Sequence, residues 1–143
     1  GLFAGIGFAF EPFMPPARIE LAPPPTWMGP MASFGAGIKE EIWLRLGLMT
    51  FVAWLGTRLT TSITIVNWLA NLVAAIAFAA AHLPQTKEVY SLTGPVVALV
   101  MIGNAGPGAV FGWLYWRHGL LCAMLSHMCF DIVVKVVVTQ LAS

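Results

Sequence analysis

The stretch GIKEEIWLRLG, Gly37–Gly47, sets four charged side chains (Lys39, Glu40, Glu41 and Arg45) inside an otherwise apolar run. The chain around it is too greasy for a water-soluble domain. Of its 143 residues, 59% are hydrophobic and 9% are charged, and the mean hydropathy is +0.84. A soluble domain carries about 25% charged residues. Apolar stretches of roughly 18 residues or more read as transmembrane helices, and the chain has several. Composition therefore predicts an all-α fold, a polytopic transmembrane helix bundle of about four core helices in a lipid bilayer. It is multi-pass, and in the cell membrane if the source is prokaryotic. A charge at mid-bilayer costs roughly 2.5–3.5 kcal/mol on insertion scales. The charges of Gly37–Gly47 must then face one another or a polar intramembrane cavity. A net charge of +1 offers no basic field, so nucleic acid is not an expected partner.

Working outward, residues 1–10 (GLFAGIGFAF) are apolar but too short to span a bilayer alone. Residues 11–30 hold seven of the ten prolines, which predicts a loop or interfacial linker. Residues 1–30 thus form a short apolar segment and Pro-rich loop, and residues 31–143 a transmembrane core. Helices are expected at about 31–55, 63–82, 92–116 and 120–141. Pro84 should end the second helix, and GNAGPG (Gly103–Gly108) should kink or break the third. Gly108 and Gly112 have the GxxxG spacing that lets helices approach closely. Cys122 and Cys129 lie seven apart on the last helix and read as small buried residues. Arg58 and Arg117 fall on one side of the membrane and Arg18 and Lys87 on the other, so the positive-inside count is a tie.

Few polar residues remain within the spans: Lys39, Glu40, Glu41 and Arg45; Asn67, Asn71 and His82; and His127, Asp131 and Lys135. Glu41 and Arg45 are one helical turn apart and can pair. Glu40 is rotated about 100° from Glu41, which leaves it as the reactive carboxylate. His127 and Asp131 share a face. One glutamate, two histidines and an aspartate from three helices can meet in one polar pocket. Each piece also has a plain structural reading. The Glu–Arg pair can be helix glue, His82 an interfacial residue, and His127–Asp131 a packing bond with Lys135 neutralising Asp131.

Together these residues resemble a known family. EEIWLR (Glu40–Arg45) has the form EExxxR, FAAAH (Phe78–His82) the form FxxxH, and HMCFD (His127–Asp131) the form Hxxx(N/D). Their order and separation are similar to those of the CPBP intramembrane proteases (CAAX protease and bacteriocin-processing, or ABI), which include the type II CAAX prenyl endopeptidases. GAVFGWLYWRHGLLCAMLSH, residues 108–127, resembles the family's glycine-rich helix, turn and histidine helix. The likeness covers about Phe34–Val138. It implies an intramembrane endopeptidase acting on a membrane-anchored or hydrophobic peptide or protein. Carried over, Glu40 and His82 would activate water, His127 and Asp131 would bind the oxyanion, and Glu41 and Arg45 would support the site. Desolvation makes a carboxylate a stronger base, which suits Glu40. Two features depart from the family. Asp131 stands where many members have Asn, and it donates a hydrogen bond only when protonated. Four helices are also fewer than full members carry, so the chain reads as the core of a longer protein or as a short member.

Members of the family have been described both as metal-free and as metalloproteases. Metal-free water activation is the favoured reading here, and zinc held by Glu40, His82, His127 and Asp131 is the alternative. Histidine ligands need acceptors that orient them, and these looked scarce, with Glu41 committed to Arg45. Two other functions compete: a non-catalytic membrane protein of the same fold giving bacteriocin immunity, and a small proton-coupled transporter. The intact motif set argues against the first and the lack of an inverted repeat against the second.

Overall fold

The computed structural model describes residues 15–17 and 28–141, with side chains described for 15–17 and 30–134. The apolar segment at residues 1–10, Arg18 and the Lys135 side chain lie outside the described residues. Helix α1 (Met28–Glu41) runs without interruption into a π-helical segment (Ile42–Met49) and then α2 (Thr50–Gly56). After a turn come α3 (Ile63–Ala81), α4 (Leu83–Val89), α5 (Gly94–His118) and α6 (Leu120–Leu141). No strand occurs among the described residues, and the molecule is a helical bundle. Two of its helices, Ile63–Val89 and Gly94–His118, are long and apolar enough to cross a membrane.

The bundle is greasy outside and buries several polar groups within its apolar core. Trp43, Leu59 and Ile102 are 74%, 83% and 75% exposed, while Glu41, Arg45, Asn71 and His127 are buried. Lipid selects this distribution, because outward side chains meet hydrocarbon and polar groups must find partners within the protein. Cys129 follows the same logic. It is exposed and Cys122 is half-buried, which corrects the reading of both as buried core residues.

Two boundaries differ from the sequence expectation. The first helix begins at Met28, inside the segment read as Pro-rich loop. The second helix does end before Pro84, at Ala81, and Pro84 also sits in the first turn of the short α4, where a missing N–H costs nothing. The expected break at Gly103–Gly108 does not occur, and α5 runs through Pro107. Donors from two neighbouring helices grip the backbone just beyond the proline. Arg45 Nη2 donates to Gly108 O at 3.1 Å and Asn71 Nδ2 to Ala109 O at 2.9 Å. Neither contact replaces the bond that Pro107 removes, which its missing N–H would have given to Gly103 O; both pin α5 to its neighbours. The chain reverses into α6 at Gly119, whose φ of 91° favours glycine.

Gly108 and Gly112 do bring α3 against α5. A Cβ on Gly108 would lie 3.1 Å from Phe78 Cδ1, and one on Gly112 would overlap Asn71 Oδ1 and lie 2.8 Å from its Cγ. Gly112→Ala is therefore expected to cost about 1–3 kcal/mol through overpacking. Thermal unfolding in detergent checks this. Adding Asn71→Ala should recover part of the loss, since it removes the atoms that the new methyl strikes.

Candidate active site

The π-helical segment begins directly after the two glutamates. Its wider turn puts Arg45 and Met49 on the inner face, and such segments recur at functional sites. Thr50 secures its far end, donating from Oγ1 to Arg45 O at 3.0 Å and meeting Tyr115 Oη at 2.7 Å. Nothing in the sequence pattern announced it.

Glu41 is the hub. Its side chain and that of Arg45 are fully enclosed, and Arg45 Nε donates to Oε2 at 3.0 Å. The pairing read from the i, i+4 spacing is therefore present. The sequence did not show that Glu41 Oε1 also receives His127 Nδ1, again at 3.0 Å. A carboxylate paired with arginine can only accept, so His127 carries its proton on Nδ1 and turns Nε2 outward. That atom stands 3.9 Å from Glu40 Oε2 and 3.8 Å from Asp131 Oδ1. Both distances are too long for a direct hydrogen bond and short enough for one oxygen to bridge.

His82 is fixed in the same way. Its Nδ1 lies 2.8 Å from Phe78 O, and a carbonyl only accepts, so Nε2 is left as a lone pair. Phe78 explains the aromatic position of FAAAH. Besides giving that carbonyl, its ring packs on His82 (centroids 4.8 Å apart) and His127 (5.4 Å), with Arg45 Cζ 5.4 Å from its centroid. Phe111 stacks on His127 at 4.7 Å and 14°. The imidazole is clamped between aromatic rings and a carboxylate.

Glu40, His82, His127 and Asp131 all line one cavity of about 590 Å³. The Glu40 and Asp131 side chains are 27% and 16% exposed, against 3% for His127. The three helices thus bring together the four residues singled out in the sequence, while Glu41 and Arg45 lie behind them. Lys39, Gln85 and Asn104 line the same cavity. Asn104 was overlooked because it stands inside GNAGPG, which reads as a break. Asn71, by contrast, serves the α3–α5 contact, and Asn67 lines no part of the cavity.

The expected shortage of orienting acceptors is not met. His127 has Glu41 and His82 has the Phe78 carbonyl, so both Nε2 atoms point away from their acceptors as a metal ligand's would. The donor chemistry suits zinc. Among the described residues, however, no three of His, Cys, Asp or Glu are drawn together as a ligand set.

A bundle of apolar helices encloses carboxylates and oriented histidines around one cavity. The family model "Type II CAAX prenyl endopeptidase Rce1-like" matches residues 22–133. The chain belongs to this family, which is a protease family embedded in membranes. No curated protein and no solved structure matches the chain.

Proposed function

We propose that this protein is a multi-pass intramembrane endopeptidase that cleaves membrane-associated substrates with water activated by Glu40 and His82. The observation that carries this is the meeting of Glu40, His82, His127 and Asp131 in one cavity, in a chain of a protease family. Glu40 takes a proton from water as the oxygen attacks the scissile carbonyl. His82, with Nε2 free, accepts the water's second hydrogen bond and aligns it. His127 and Asp131 sit where the carbonyl oxygen gains charge. For His127 to donate from Nε2 the ring must be doubly protonated, and the Glu41 carboxylate, 3.0 Å from Nδ1, offsets that charge. The Glu41–Arg45 pair holds the histidine and takes no proton.

The test is incubation of purified protein with a library of membrane-anchored peptides, fragments being read by mass spectrometry, beside Glu40→Ala. Fragments from wild type alone support the reading. Intact peptides in both samples favour a binding protein of the same fold.

Metal-free chemistry is favoured because Glu40 and His82 can orient the water and take its proton without a Lewis acid. If zinc is bound, the Nε2 atoms of His82 and His127 with Glu40 and Asp131 would hold it, and it would supply Lewis acidity to a water. Asp131→Asn separates the two. On the metal-free reading it keeps most activity, since the amide brings its own donor. On the zinc reading it removes a ligand, and activity and metal content fall together. Zinc content measured beside activity decides. Stoichiometric zinc in active wild type, lost with activity in Asp131→Asn, overturns the metal-free mechanism.

A further inference from the structure

Asn104 is a polar group of the cavity to which the mechanism above gives no task. It lies in α5, is 5% exposed, and lines the cavity beside Pro107, Phe111, His127 and Asp131. Its amide orientation is fixed, because Nδ2 donates to Val100 O at 2.8 Å. The flipped amide would set two oxygens against each other. This bond uses one of the two N–H groups. The second N–H and Oδ1 have no further partner among the described residues, which leaves them for the cavity. A buried amide in an apolar helix is costly, so one held at the site with donor capacity in reserve calls for a ligand.

The same site is short of a donor beside His127 Nε2–H. Asp131 as a carboxylate only accepts, and an oxyanion needs N–H or O–H groups aimed at it. We propose that Asn104 is a catalytic residue that donates its second Nδ2 N–H to the oxyanion, doing what an amide at position 131 would do. The proposal rests on the peptidase reading. In the step it serves, the water oxygen bonds to the carbonyl carbon and the π pair moves onto the carbonyl oxygen. The proton released goes to Glu40. On collapse the C–N bond breaks, its pair stays with nitrogen, and Glu40 returns the proton to that nitrogen. Asn104 holds the oxygen while it is charged.

A double-mutant cycle tests this with an internally quenched, farnesylated peptide ending in a C-a-a-X sequence, assayed in proteoliposomes. Loss of one oxyanion donor costs about 10²–10³ in kcat. Asn104→Leu should lose that much in kcat with little change in KM. In the Asp131→Asn background, where position 131 supplies an amide, the same change should cost less than about 10-fold. If Asn104→Leu fails to accumulate, Asn104→Ala takes its place in both backgrounds. Equal losses in the two backgrounds, or an effect confined to KM, overturn the assignment of Asn104 while leaving the peptidase reading intact. A wild type that leaves this peptide and the peptide library whole overturns the peptidase reading itself.

Discussion

Glu40→Gln is expected to lower peptide cleavage by about 10²–10⁴-fold, the usual worth of a positioned base, while the protein still inserts and folds. Glu40 is the more exposed of the two adjacent glutamates, and its nearest charged partner, His127 Nε2, is 3.9 Å away. Removing its charge therefore leaves no tight pair broken, and a neutral amide is less costly in lipid than a carboxylate. Turnover of a membrane-anchored peptide, measured with the thermal midpoint of the same sample, checks both halves. A variant of normal midpoint and full activity would exclude Glu40 as the base.

The neighbouring substitution should act in the opposite order, on the fold first. Glu41 accepts from Arg45 through Oε2 and from His127 through Oε1. Gln presents one acceptor and one donor in place of two acceptors, so Glu41→Gln satisfies only one of these groups and leaves the guanidinium without its counter-charge. Among the described residues Arg45 Nη1 already lacks a hydrogen-bond partner in its enclosed position. Breaking a buried pair from one side costs about 3–5 kcal/mol. The expected result is a sharp fall in purified yield and thermal midpoint. Activity per folded molecule should also drop, because the imidazole loses its orientation. Replacing both residues, as Glu41→Gln with Arg45→Met, should restore part of the stability, since no unpaired charge is then buried. A single Glu41→Gln protein with the wild-type midpoint would show that the pair contributes little to the fold.

Much of the candidate site was legible in the chain itself. Charges are so rare in this sequence, and so expensive in lipid, that those within the apolar spans had to share a purpose. The i, i+4 spacing of Glu41 with Arg45 and of His127 with Asp131 states a helical face directly, and the structure keeps both pairs within 4 Å. Glu40 facing the cavity while Glu41 is enclosed likewise follows from the helical turn. GxxxG correctly marked where α5 meets its neighbour.

Local rules fell short where residues distant in sequence meet. Pro107 predicts a break when read alone, yet α5 runs through it, and the two carbonyls that follow it accept from Arg45 and Asn71, both remote in sequence. The π-helical turn after Glu41 leaves no mark in residue spacing. Asn104 is indistinguishable from a turn residue until its neighbours in space are known.

The sequence by itself determined the helical class and which polar residues the apolar helices carry, because hydropathy and spacing along one helix are properties of the chain alone. Only the tertiary structure decided which residue each of them faces. Glu41 joins Arg45 to His127 across 86 positions of sequence, whereas His82 Nδ1 meets the Phe78 carbonyl one turn back on its own helix. The tautomer of His127, and so the direction of its free nitrogen, depends on that packing, since an imidazole can be protonated at either nitrogen until a neighbour chooses one.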